Sequence, residues 1–144
     1  MRVLGVDVGA RRVGLAISDA TRTLARPLVT ITVTGGDDAV ARVADTIATL
    51  SNEDDGLGAV VVGMPARLDG TRTDATARVE AFIASLRRRT TIPIATEGER
   101  LSSREAESRL AVRERDWRKR KARLDAAAAA IILQDYLDRR QQRA

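Results

Sequence analysis

Three carboxylates occupy positions from which they could act on a substrate: Asp7 in "GVDVGARRVGLAISD", Glu99 in "IPIATEGERLSSREAE" and Asp125 in "RLDAAAAAIILQDYLDRR". Asp7 sits among Val6, Val8 and Gly9 near the end of an alternating run. An ionised carboxylate in apolar surroundings is costly unless a cation, a bound metal or solvent at the strand's end compensates it. Carboxylates that converge on one point repel and raise one another's pKa unless positive charge holds them. Hard divalent ions such as Mg²⁺ or Mn²⁺ favour such oxygen ligands. A pair of these ions can clamp the attacking and leaving oxygens of an in-line phosphoryl displacement. The chain has no histidine and no cysteine, and a carboxylate site needs neither. Plainer roles stand beside this one. Asp7 could be a solvated strand-end acid, Asp125 a helix N-cap or first-turn acid, and Glu99 the partner of Arg100 in a surface ion pair. Asp19, before Ala20-Thr21, reads as a turn acid in preference to a metal ligand.

The elements that must position these acids follow from the hydrophobic pattern. Residues 2–8 alternate as a strand, Gly9-Ala10-Arg11-Arg12 turns the chain, and residues 13–18 return, giving a β-hairpin. A third strand is expected over 24–33, with Pro27 favouring an edge position. Gly35-Gly36-Asp37-Asp38 opens a helix over 39–50, with Val40, Val43, Ala44 and Ile47 on one face. The continuous apolar run 59–64 suits a strand buried on both faces of a parallel sheet. A helix over 74–89 turns Val79, Phe82, Ile83 and Leu86 inward, and 91–95 reads as the next strand. Ser102 and Glu105 have capping-box spacing for a further helix. Residues 114–121 are almost entirely charged and read as a mobile segment, before an alanine-rich helix over 124–139 with Asp125 in its first turn. Strand alternation places Asp7 at the carboxyl end of a central strand, where ligands commonly bind in α/β sheets. The small residues 126–130 would let the last helix approach the sheet closely and carry Asp125 toward it. The fold class expected is α/β: a five-stranded mixed sheet, antiparallel over its first three strands and then parallel, flanked by helices.

The 144 residues suit one domain, with residues 140–144 as a flexible basic tail. The net charge of +5 is concentrated in Arg87-Arg88-Arg89 and in residues 113–123. Arginine matches phosphate in a planar, bidentate way, so nucleic acid is the natural polyanion, although a charge run can also be a solvated face. Aromatic residues are only 2% of the chain, which argues against base stacking as the main grip; Trp117 could stack or anchor its loop. The first residues carry no apolar core with a cleavage site and no run approaches the ~18 residues of a membrane span, so a cytoplasmic location without membrane contact is expected.

The blocks "LGVDVGARRVGLAISD", "VVVGMPARLDGTRT", "IPIATEGERLSSREAE" and "RLDAAAAAIILQDYLDRR" resemble, in order and spacing, the YqgF family, also called RuvX, whose members go under the names pre-16S rRNA nuclease and Holliday junction resolvase. The resemblance spans the whole chain. It implies an RNase H-like fold and a nuclease dependent on Mg²⁺ or Mn²⁺, acting on structured nucleic acid. The implied substrate is pre-16S rRNA, in the context of ribosomal precursor particles, or else branched or single-stranded DNA. On this resemblance the acids of the first strand, the fifth strand and the last helix fall on Asp7, Glu99 and Asp125, as catalytic residues and metal ligands. Arg12 and Arg100 match basic positions of the family. With Arg11 and with Arg118, Lys119, Arg120 and Lys121 they form the expected nucleic-acid contacts. Gly98 stands where the family's block carries an aspartate, and Glu97, its neighbour, would point to the other side of an extended strand. A monomer or weak homodimer is expected, since no strong apolar stripe is left over for an interface.

Two other readings stay open on sequence. Asp7, Gly9 and Gly14 fit the phosphate-wrapping hairpin of sugar kinases and actin-like ATPases, but those bind nucleotide between two such domains and this chain supplies one. A binding module without catalysis would grip phosphates through its arginines, with strong salt dependence and no metal requirement.

Overall fold

In a computed structural model, residues 1–65, 73–98 and 117–143 are described, with side chains of the last stretch described over 125–141. Three strands come first: β1 (Arg2–Val8), β2 (Arg12–Ser18) and β3 (Ala25–Thr32). They are followed by helix α1 (Gly36–Ser51), β4 (Leu57–Met64), α2 (Asp74–Arg87), β5 (Ile94–Gly98) and the long helix α3 (Trp117–Arg143). The sheet order is β3-β2-β1-β4-β5. β2 pairs antiparallel with β1 and β3, whereas β1–β4 and β4–β5 are parallel. This is the mixed five-stranded sheet that the hydrophobic pattern predicts. Pro27, which cannot donate to a ladder, lies on the edge strand β3 beside a register shift.

Period-two alternation divides the sheet into two buried faces. On one, Leu4, Val6, Val13, Leu15, Ile17, Val60 and Val62 pack under Val40, Val43 and Ile47 of α1 and Val79, Phe82, Ile83 and Leu86 of α2. On the other, Val3, Ala16, Ala59 and Val61 pack under Ala129, Ile132, Leu133 and Leu137 of α3. β4 is buried on both sides, as its unbroken apolar run requires.

The second face is lined with small residues so that α3 can lie almost on the backbone. A Cβ at Gly5 would sit 2.8 Å from Leu133 Cβ and 3.0 Å from the Ala129 carbonyl oxygen. At Gly14 it would collide with the Asp125 carbonyl group, and would stand 2.9 Å from Ala126 N. Polar ties fix the helix along its length. Gln134 accepts from Ala25 N at 2.9 Å and donates to the Thr23 carbonyl at 2.9 Å. Near the far end, Arg139 Nη1 lies 2.9 Å from Oε1 of the buried Glu97 on β5.

Element boundaries differ from the sequence reading at several places: α1 starts at Gly36 and not 39, β4 at Leu57 and not 59, and α2 ends at Arg87 and not 89. β5 spans Ile94–Gly98 and not 91–95, because the ladder with Val60 to Met64 sets its register; Pro93 supplies only its carbonyl, to Val60 N at 2.9 Å. α3 starts at Trp117, so the charged segment expected to be mobile is helical from there, and Asp125 lies about two turns inside the helix. Residues 140–143, expected as a flexible tail, continue the same helix, and Arg140 stacks over the Tyr136 ring at 5.4 Å from its centroid. The capping-box helix expected from Ser102 lies outside the described residues. Among the described residues no helix is long and apolar enough to cross a membrane.

Candidate active site

Asp7 is the last α3-facing residue of β1. Val3 and Gly5 precede it on that face, and Leu4 and Val6 point to the other. Its ladder partner on β2 is Gly14. Gly14 is the residue on which the backbone of Asp125 rests, so a glycine on the neighbouring strand brings the two acids to one side of the sheet and one end of β1. The turn that follows is tight. Gly9 N donates to the Arg12 carbonyl at 2.9 Å, and a Cβ at Gly9 would lie 2.7 Å from that same oxygen.

The turn fixes Arg12, which alternates onto the α3 face together with Gly14 and Ala16. Its Nε lies 3.0 Å from Asp125 Oδ2, with both side chains about one-third exposed (31% and 28%). The pair therefore contributes little to stability, about 1 kcal/mol or less after solvent screening. Its significance is electrostatic: positive charge sits directly on the Asp125 carboxylate, on the side it shares with Asp7. Arg11, one residue earlier, is exposed, and its carbonyl accepts from Val33 N at 2.8 Å.

The N-cap or first-turn role open to Asp125 on sequence is not what the structure gives, since the helix begins at Trp117. Glu99 and Arg100 lie outside the described residues, as do the side chains of Arg118, Lys119, Arg120, Lys121 and Trp117. The described part of the candidate site is thus Asp7, Arg12 and Asp125. Among the described residues no three acids gather as a metal cluster.

Glu97 was missed as a positioning residue. It faces α3, opposite Gly63 in the ladder, and is 6% exposed. Its ion pair with Arg139 ties β5 to the C-terminal part of the helix that carries Asp125. The signal for it lay in the two-residue alternation, which puts 97 on the α3 face and 98 off it. Among the described residues nothing lies within 4 Å of where a side chain at Gly98 would start.

Asp19 behaves as a turn acid. Its Oδ1 accepts from Thr23 N at 2.8 Å and Leu24 N at 3.2 Å, and its Oδ2 accepts from the Thr21 hydroxyl at 2.7 Å. These bonds, that from Thr21 foremost, hold its pKa below the usual carboxylate value. A depressed folded-state pKa means that the turn's contribution is present above the unfolded value and is lost as pH falls through the folded one. A carboxyl-carbon NMR titration is expected to find Asp19 protonating at lower pH in wild type than in Thr21→Ala; coincident curves would contradict this origin of the shift.

A family model described as "RuvX: Holliday junction resolvase" matches residues 1–139. The chain belongs to the RuvX family. Among RuvX relatives, a protein of Maridesulfovibrio salexigens named "Putative pre-16S rRNA nuclease" is 42% identical over 139 residues, covering 96% of this chain and 99% of the relative. A protein of the same name from Roseiflexus is 39% identical over 137 residues, covering 95% and 94% of the two chains. The fold is that of Thermus thermophilus RuvC, solved in complex with a Holliday junction substrate. That structure superposes with a TM-score of 0.57 at 18% identity over 98% of this chain and 96% of that one. RuvX membership and this RNase H-like architecture fit a nuclease.

Proposed function

We propose that this chain is a metal-dependent nuclease that hydrolyses phosphodiester bonds in structured nucleic acid, with the precursor of 16S rRNA as its substrate. The observation that carries the reading is the convergence of Asp7 and Asp125 through the contact at Gly14, in a RuvX chain whose relatives are named for that substrate. The donors suit a divalent cation: both are hard carboxylate oxygens, and the Arg12 guanidinium at Asp125 marks a place where positive charge is favoured. Asp7 and Asp125, joined by Glu99, would hold Mg²⁺ or Mn²⁺. When bound, such ions polarise the scissile phosphate and lower the pKa of the attacking water.

The chain's own residues supply the rest. The closed β1–β2 turn and the seating of α3 on Gly14 fix the two carboxylates in place, so little reorganisation is needed when substrate arrives. Arg12 keeps Asp125 neutralised and oriented. Being partly exposed, it can exchange that carboxylate for a phosphate oxygen, to which a guanidinium binds with equal geometric ease. Arg11, Arg100 and the basic first turns of α3 would add phosphate contacts around this point.

The family's printed description supports a second reading, resolution of branched DNA. A cleavage assay with a pre-16S rRNA fragment, single-stranded DNA and a four-way junction, with Mn²⁺ added or withheld, separates the two. Mn²⁺-dependent cutting of the RNA is the expected result. Cutting of the junction alone would move the assignment to DNA, and the absence of any metal-dependent cutting would overturn the nuclease reading.

A further inference from the structure

At the opposite end of the sheet from Asp7 lies a second concave surface, a groove of about 650 Å³ between α1 and the connection from α2 to β5. Arg87, Arg88, Arg89, Thr90 and Thr91 form one wall, over a floor that includes Ile47 and Leu57. The three arginines are exposed, and among the described residues no carboxylate contributes to the lining. Glu53 in the adjoining turn is taken by Arg2 at 2.8 Å, while Asp54 and Asp55 are exposed and lie outside the lining. Arg87 donates to the Ile94 carbonyl at 3.3 Å and so braces the wall, which leaves Arg88 and Arg89 at its mouth.

We propose that this groove is a second phosphate-binding surface, which takes the sugar–phosphate backbone of a nucleic acid away from the point of cleavage. Guanidinium groups beside hydroxyl donors match phosphate oxygens. Among the described residues the lining holds no aromatic side chain, so the groove would track backbone without reading bases. Leu57 of β4 lies in the groove, while Val62 of β4 pairs beside Val6, next to Asp7. At about 3.3 Å per residue the two ends are roughly 20 Å apart along the strand, and the groove opens on the α1 side of the sheet while Asp7 faces α3, so a path over the surface is longer. A strand in a duplex advances about 3.4 Å per nucleotide, so a helical segment shorter than ~6 nucleotides cannot engage both places. The identity of the ligand rests on the nuclease reading; the surface itself does not.

The test is equilibrium binding in EDTA, which removes cleavage from the measurement, over a series of salt concentrations. The probes are a hairpin RNA of about 40 nucleotides and a single strand of about 5. Arg88→Glu/Arg89→Glu is expected to bind both probes more weakly, the hairpin about tenfold, with a slope of log affinity against log salt shallower by about 1–2. Arg88→Lys/Arg89→Lys should keep most of the affinity, and Arg88→Gln/Arg89→Gln, which adds no charge to the α2 terminus, should lie between. An unchanged slope and affinity for the hairpin in the Glu and Gln variants would overturn the proposal. So would loss of binding to polyglutamate with RNA binding intact, since that result assigns the groove to an acidic protein segment. Wild-type binding of this kind without metal-dependent cutting would sink the nuclease reading and leave the groove standing. Cutting with an unchanged salt slope would do the reverse.

Discussion

Asp7→Asn is expected to lower metal-dependent cleavage by at least about 10²–10³-fold while leaving the fold in place. The substitution is nearly isosteric and sits at the partly exposed end of β1, where the ladder to β2 and β4 is made by backbone groups and the flanking core by Val3, Leu4 and Val6. What it removes is charge: one of the two carboxylates, Asp7 and Asp125, that the contact at Gly14 brings together. Single-turnover cleavage of the RNA substrate in Mn²⁺, with a thermal melt as control, checks it. A variant that melts with wild type and fails to cut supports the assignment, whereas equal cutting would remove Asp7 from the mechanism.

Gly14→Ala is expected to damage both stability and activity although it adds a single methyl group. That methyl would meet the Asp125 carbonyl and Ala126 N, which are backbone atoms of a helix and cannot rotate away. Either α3 lifts or β2 bends. Overpacking of this kind costs about 1–3 kcal/mol. For a chain of this size that is a Tm lower by about 3–10 °C. Because the contact carries Asp125, cleavage should fall even at temperatures where the variant is fully folded. Gly98→Ala is the matched control: among the described residues its added Cβ meets nothing within 4 Å, and its stability should stay within about 0.5 kcal/mol of wild type. Equal melting of the two variants would show that the close seating of α3 is not what fixes the site.

Much of this arrangement was legible in the residues because it rests on short-range pattern. Alternation in residues 2–8 and 13–18 gives the hairpin, and the apolar run of β4 gives a strand buried on two faces. The run of alanines after Asp125 announces a helix that comes close to its neighbour. What escaped was set by partners distant in sequence. β5 is shifted toward its C-terminus because β4 dictates its register, overriding the local preference of Thr91 and Ile92 for extended structure. The beginning of α3 has no apolar stripe, so periodicity was silent there, yet arginine, lysine and alanine all favour helix and continue it back to Trp117. The pairing of Arg12 with Asp125 joins the two ends of the chain and could not be read from either. Alternation already set Glu97 on the other side of its strand from Gly98, but its partner could not be read locally: it is buried against Arg139 of the helix that carries Asp125.

Binding of Mn²⁺, followed by electron paramagnetic resonance, tests the central claim without depending on the choice of substrate. Wild type should take up the ion, and Asp7→Asn and Asp125→Asn should each weaken uptake by about tenfold or more, since changes even to groups behind a ligand cost that much. Undiminished Mn²⁺ binding in both variants would contradict the assignment of these two carboxylates as the metal-holding pair.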